Sequence, residues 1–180
     1  MESRNFRTQQ YAAGCLFLSY FEDEIYCLLG KDHYNTFSDF GGKAEAIDNF
    51  NPLLTACREA YEETLGILSK SELFALLQQS QSIHSKSYTN KPYYMYIVWI
   101  QYNPLYCNNF NTTLNYINLI PNYNQSFKEK KSIMWIKLDN ILQNTHRIHL
   151  RNVFFNTIHN HSKHIKCIAL ELKARNNKDI

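Results

Sequence analysis

The sequence predicts an α/β (α+β) fold, a mixed β-sheet held between helices, and three observations predict it. Two apolar runs rich in Leu, Tyr and Phe, Tyr11 to Tyr20 and Glu24 to Leu29, are split by the acidic turn Phe21-Glu22-Asp23, which is a hairpin pattern. Asn51-Pro52, followed by apolar residues at three- and four-residue spacings, marks a well-bounded helix. Strand-like and helix-like stretches then alternate without an internal repeat or a linker, so residues 1–180 are expected to form one domain.

Taken in order, the hairpin is followed by a polar loop through Lys31, Asp32, His33 and Asn35, which leads into Phe40-Gly41-Gly42-Lys43. Paired glycines permit backbone angles that side chains forbid, so a tight turn or bulge belongs there. Asn51 caps the first free N–H groups of the helix, and Pro52 suits its first position. Leu53, Leu54, Cys57, Ala60, Tyr61, Thr64 and Leu65 make its apolar stripe, and Gly66 stands where a left-handed cap ends it. A second, shorter helix is expected over Ser71 to Ser80, capped by Ser69 or Ser71. Lys91 to Tyr102 and Ser132 to Leu138 read as buried strands, with Asn111 to Ile120 a helix in the connection between them. Leu150 to His159 has helical spacing, and Ile165 to Lys173 alternates like a strand.

Composition narrows the function. With 19 Lys+Arg against 16 Asp+Glu the net charge is +3, well below the strongly basic stripe of a dedicated nucleic-acid binder. The 44% hydrophobic content, with five Gly and four Pro, is too apolar for disorder and too poor in Gly and Pro for a fibrous chain. The longest apolar run, Tyr93 to Ile100, falls far short of the ~20 residues that cross a bilayer, so no membrane partner is expected. Met1-Glu2-Ser3-Arg4 carries an acid, and the following apolar stretch has no cleavage pattern, so no secretory signal is read. Cys15, Cys27, Cys57, Cys107 and Cys167 are odd in number and widely spaced, which suits a reducing cytoplasm rather than a disulfide framework or a zinc site. Sequons at Asn111, Asn124 and Asn160 are what an Asn-rich chain produces by chance.

The chemistry is concentrated in Arg58-Glu59-Ala60-Tyr61-Glu62-Glu63. On a helix Glu59, Glu62 and Glu63 stand at i, i+3 and i+4, so three carboxylates share one face while Cys57, Ala60, Tyr61 and Thr64 turn to the core. An isolated pattern of this kind is usually a solvated surface. Here a Gly-Gly-Lys turn lies upstream, and Arg58 stands beside Glu59, able to fix a carboxylate through a bidentate bond. Crowded carboxylates are also the hard ligands that Mg²⁺ or Mn²⁺ prefer, with positions left open for phosphate oxygens and water.

Gly42 through Gly66 resembles the Nudix box, G-x5-E-x7-R-E-U-x-E-E-x-G-U with U apolar, and the match is strong over Arg58, Glu59, Ala60, Glu62 and Glu63. Ser38-Asp39-Phe40-Gly41-Gly42-Lys43 resembles the strand and turn that enter the box, and Trp135-Ile136-Lys137-Leu138-Asp139 resembles a later strand of that superfamily. Two departures stand out. The segment from Gly42 to Arg58 is two residues longer than the pattern, leaving Asp48 or Glu45 in the place of the first acid, and Leu65 is an extra residue before Gly66. An insertion in a loop is cheap, and a residue after the carboxylates leaves their helical phase unchanged.

The resemblance implies a Nudix-like α/β/α sandwich and a Mg²⁺- or Mn²⁺-dependent pyrophosphohydrolase. Its substrate would be a nucleoside diphosphate linked to another moiety: a nucleotide, dinucleotide or nucleotide sugar. By the same likeness Glu62 and Glu63 bind metal directly, together with Glu59 and the Gly41 carbonyl. Glu59 orients or deprotonates water, Arg58 holds Glu59, and Glu129 is the candidate acid from outside the box. Gly42 and Lys43 would contact substrate; Lys43 reads equally well as an exposed loop lysine. Lys128-Glu129-Lys130-Lys131 also reads as a solvated charge run, and it leaves room for capped RNA or a diphosphoinositol polyphosphate as substrate. A catalytically inactive nucleotide-binding module is the alternative of another class.

Other features carry less. His146, His149, His159, His161 and His164 suit a surface role, and Tyr88, Tyr93, Tyr94, Tyr96, Tyr102 and Tyr106 suit packing more than base stacking. Cys57 reads as a small core residue rather than a nucleophile. Residues Asn103 to Ser126 and the segment before Lys91 are expected to select the substrate.

Overall fold

The computed structural model describes residues 10–86, 90–143 and 148–176. Met1 to Arg4, Tyr88, His146 and the residues just before Asn90 lie outside them.

Strands β1 (Ala12–Phe21) and β2 (Glu24–Asp32) form the expected hairpin, paired from Phe17↔Leu28 to Phe21↔Glu24 around a turn in which Glu22 and Asp23 take positive φ. Along its other edge β1 runs parallel to β6 (Pro92–Trp99), from Ala12↔Tyr93 to Leu18↔Trp99. That leaves one edge of β1 to be divided: β2 takes its upper half, while β4 (Phe40–Lys43) pairs with Ala12 to Cys15 below. β2 also pairs with β3 (Phe37–Ser38) and β7 (Lys130–Lys137), and β5 (Gln81–Lys86) completes the far edge beside β6. The sheet is therefore mixed, and it divides where β4 replaces β2 beside β1.

Each face of the sheet is covered. Cys15, Phe17 and Phe40 bury one face against Ala56, Cys57 and Ala60 of α1 (Pro52–Glu63), Leu73 and Leu77 of α2 (Lys70–Gln78) and Phe110 of α3 (Leu105–Asn118). Leu16, Leu18 and Leu29 bury the other against Ile141 of α4 (Leu138–Gln143) and Phe154, Ile158, Ile165 and Ile168 of α5 (Asn152–Asn176). This is an α/β/α sandwich, as expected.

The capping residues act as the sequence indicates. Asn51 accepts from the Leu53 N–H, Ser69 accepts from the Glu72 N–H, and Pro52 stands in the first turn of α1. The extra residue Leu65 itself takes the left-handed conformation (φ 58°), as does Gly66 (φ 73°), and the Gly66 N–H donates to the Tyr61 carbonyl at 2.9 Å. Ile165 to Lys173 is a correction: it is the second half of α5, which kinks at His161. The buried residues Ile165, Ile168 and Ala169 have helical spacing, while Lys166, Cys167, Leu170 and Glu171 between and after them are exposed. Residues 105–118 form α3, which covers most of the helix expected over Asn111 to Ile120 and begins earlier.

Candidate active site

Glu59, Glu62 and Glu63 project from α1 toward the place where β4 and β2 part beside β1. Two of the three are buried: Glu59 is 7% and Glu63 2% exposed. A solvated acidic face is thereby replaced by carboxylates held inside the fold. Glu63 Oε2 accepts the Gly41 N–H at 2.7 Å, so the first glycine of the turn anchors this carboxylate through its amide.

Arg58 organises the outer side of the site. Its Nε donates to Asp48 Oδ1 at 3.0 Å and its Nη2 to Asp48 Oδ2 at 2.9 Å, a two-point grip. Nη2 also donates to the Lys43 carbonyl at 2.9 Å. The remaining nitrogen, Nη1, lies 3.0 Å from Glu59 Oε1, 3.3 Å from Glu62 Oε2 and 3.5 Å from Glu45 Oε1. The bidentate partner of Arg58 is thus Asp48, and Glu59 receives a single contact. Asp48 also accepts from the Glu45 N–H and the Thr55 hydroxyl, both at 2.9 Å. Burial works to raise its pKa, but Arg58 and these hydrogen bonds hold it below the ordinary carboxylate range. Of the two residues competing for the place of the box's first acid, Asp48 is buried and gripped by Arg58, whereas the Glu45 side chain is 63% exposed.

Burial pushes Glu59 up to about 7, with Glu62 and Glu129 adding to the rise and Arg58 opposing it. Burial likewise pushes Glu63 up to about 8; Lys130 and the Gly41 N–H oppose the rise, while Glu59 and Glu129 add to it. Glu129 is exposed, yet its charge reaches both buried carboxylates. Its neighbour Lys130 corrects the reading of 128–131 as a solvated run. Lys130 is 2% exposed, and its Nζ lies 3.3 Å from Glu63 Oε1.

Two cavities flank these groups. One, of about 570 Å³, is lined by Glu63, Glu129, Lys130, His33 and Arg151. The other, of about 390 Å³, is lined by Gly41, Gly42, Lys43, Asp39, Tyr93 and Arg151. Arg151, just before α5, belongs to both. Residues 103–126 line neither of these cavities. Lys43 is exposed and borders the smaller one, beside Gly42. On the cavity wall Asp39 is 4% exposed and accepts a hydrogen bond from the Tyr93 hydroxyl. Burial pushes Asp39 up to about 6, against the Tyr93 bond and the charges of Lys130 and Arg151.

Asp39, Tyr93, Lys130 and Arg151 were not expected at the site. Gly30 is the one local signal for Lys130, because a glycine inside a strand marks a close approach. Elsewhere, His159 and His164 are exposed and His161 sits at the kink of α5. Cys57 is 6% exposed, among core residues, and all five cysteines are free. No described helix is long and apolar enough to cross a membrane.

No protein-family model matches the chain, and no curated protein matches it in sequence. Solved structures do. The chain is similar to the NUDIX domain of Shewanella oneidensis NrtR complexed with ADP ribose, at 11% identity over 92% of this chain and 94% of that one, with a TM-score of 0.56. It is similar to a C. elegans Ap4A hydrolase binary complex at 14% identity over 86% and 98% of the two chains, with a TM-score of 0.52. It is also similar to a Francisella tularensis bifunctional NMN adenylyltransferase/ADP ribose pyrophosphatase complexed with AMP and a Mn ion, at 15% identity, over 84% of this chain and 40% of that one, with a TM-score of 0.52.

Proposed function

From the premise that this chain has the Nudix fold, we propose that it is a divalent-metal-dependent pyrophosphohydrolase. Its substrate is a small nucleoside diphosphate derivative, and residues 1–180 act as one such domain in the cytoplasm. The observation that carries the reading is the cluster itself: Glu59, Glu62 and Glu63 on one helix face, tied by Arg58 and Gly41 and bordered by two cavities.

The donor set fits Mg²⁺ or Mn²⁺. Carboxylate oxygens are hard ligands, and Glu59 and Glu63 are pushed up to about 7 and about 8, so added positive charge here would displace protons. Among the described residues no three such side chains already form a ready-made cation site. Glu62 and Glu63, with Glu59 and the Gly41 carbonyl, would hold the ion. When bound, it would polarise a phosphoryl oxygen and lower the pKa of water.

The chain's own groups do the rest. Glu59, steadied by Arg58 Nη1 at 3.0 Å, orients the attacking water and takes its proton. Glu129, exposed at the mouth of the larger cavity, is the second candidate for that base. Arg151, common to both cavities, neutralises phosphate charge as the anhydride opens. Gly42 and Lys43 border the smaller cavity, which would take the rest of the substrate.

The test is phosphate-product release from dinucleotides, nucleotide sugars, nucleoside triphosphates, diphosphoinositol polyphosphates and capped RNA, with Mg²⁺ or Mn²⁺ and then with excess chelator. Turnover of one compound, lost on chelation and in Glu62→Gln, is the expected result. Binding of a compound without turnover would instead make the chain a nucleotide-binding module.

A further inference from the structure

Lys130 is a charged side chain built into the core, and every part of it has a matching feature in the fold. Its stem runs over Gly30 of β2, where a Cβ would stand 2.7 Å from Lys130 Cδ and 2.8 Å from Cε. Strand β2 thus carries no side chain along the length of this lysine. At the far end Nζ donates to Ser38 Oγ at 2.7 Å and to the Asp39 carbonyl at 3.3 Å, and it lies 3.3 Å from Glu63 Oε1. An ammonium has three donors, and here three acceptors meet it. Glu63 is fixed on its other side by the Gly41 N–H at 2.7 Å, so both of its oxygens are engaged.

The arrangement is costly unless it serves a purpose. Desolvating an ammonium and a carboxylate is unfavourable, and a lysine normally keeps its head in water. Lys128 and Lys131 remain partly exposed, whereas Lys130 enters the site at a register shift between Lys31 and Asp32. The charges nearby are unequal. Glu59 and Glu62 share Arg58, which Asp48 already grips, Glu63 is met by Lys130, and the charge of Glu129 reaches Glu59 and Glu63 as well.

We propose that the Lys130 ammonium is a resident cation of this cluster. It fills at Glu63 the position a further divalent ion would take, and so sets the cluster to hold fewer such ions than its carboxylates could neutralise. The inference rests on the reading of Glu59, Glu62 and Glu63 as a cation-binding cluster. A divalent ion approaching Glu63 Oε1 meets a positive charge 3.3 Å from that oxygen, so an ion shared by Glu59, Glu62 and Glu63 is kept to the side of Glu63 away from Lys130. Unlike a dissociable ion, the lysine holds Glu63 in place at any metal concentration.

The experiment is an equilibrium titration of the whole chain with Mn²⁺, reading free Mn²⁺ by electron paramagnetic resonance, for the wild type, Lys130→Gln and Lys130→Arg. Lys130→Gln is expected to bind an additional Mn²⁺ per chain, or to bind Mn²⁺ tighter on the order of ten- to a hundredfold. Lys130→Arg is expected to match the wild type. Equal or weaker Mn²⁺ binding by Lys130→Gln overturns the inference alone. A wild type that binds no Mn²⁺ at millimolar concentration overturns the cluster reading as well. If Lys130→Gln does not fold, Gly30→Ala, which crowds the lysine stem, takes its place. It is then expected to bind Mn²⁺ tighter than the wild type, and unchanged binding overturns the inference.

Discussion

Gly42 and Glu59 share one space: a Cβ on Gly42 would stand 2.5 Å from Glu59 Oε1 and 2.6 Å from its Cδ. The glycine is required there because the carboxylate of α1 fills the position its side chain would take. The obstructing atoms are the end of a flexible side chain, so the fold can accommodate a methyl group by moving Glu59 away from Arg58.

Gly42→Ala therefore separates activity from stability. Its thermal midpoint should stay within a few degrees of the wild type, while kcat falls by ~100-fold, the usual cost of misplacing a reacting group by an ångström. A melting curve beside a turnover assay checks both parts, and a large loss of stability with normal turnover would contradict the argument.

Gly14 presents the opposite case. A Cβ there would meet the Phe40 carbonyl at 2.7 Å and Gly41 Cα at 2.8 Å, which are backbone atoms of the paired strand β4. They cannot rotate aside, so β1 and β4 must separate. Gly14→Ala should lose about 3 kcal/mol of stability, at the upper end for overpacking a close-packed site, measured as a lower denaturant midpoint.

Asp48 and Arg58 should behave as one unit. Asp48 is 2% exposed and accepts from both Nε and Nη2 of Arg58. Removing Asp48 takes both partners of the Arg58 fork from a largely buried guanidinium, leaving it Glu59, Glu62 and the Lys43 carbonyl, so Asp48→Ala should cost about 3 kcal/mol, at the lower end for a broken buried pair. Arg58→Lys keeps the charge but loses the fork, and should destabilise less while lowering turnover through Glu59. In a double-mutant cycle the two changes should cost clearly less together than the sum of their separate costs; simple additivity would show that the pair is not coupled.

What the sequence reveals here depends on distance along the chain. α1 was legible because its cap, its first-turn proline and its apolar stripe are neighbours, and the carboxylate face follows from the same phase. The second half of α5 was misread because a few residues alternated, while the buried set Ile165, Ile168 and Ala169 has period 3.6. Asp48 could be placed near the first acid, but its grip on Arg58 needs the 3₁₀ turn Ala46–Asp48 to carry it back across ten residues. Lys130 and Asp39 were hidden for a stronger reason. Their burial depends on Gly30, Ser38 and Tyr93, partners that only the sheet brings together.

Asp39 gives the fold a pH dependence of definite sign. Burial pushes its carboxyl up from 3.8 to about 6, while Tyr93, Lys130 and Arg151 limit the rise. In the unfolded chain this group ionises near its ordinary pKa, so between ~4 and ~6 the native state holds more protons than the unfolded one. Stability from this residue is thus complete below the unfolded pKa and is lost as pH rises through about 6. A shift of this size is worth about 3 kcal/mol at most. Asp39→Asn keeps the shape and removes the titration. Denaturant midpoints measured from pH 4.5 to 7.5 should fall more steeply for the wild type than for this variant up to about pH 6, and the two curves should run parallel above it. Curves parallel over the whole range would mean that Asp39 is already ionised in the native state at the acid end, held so by Tyr93 and the two cations.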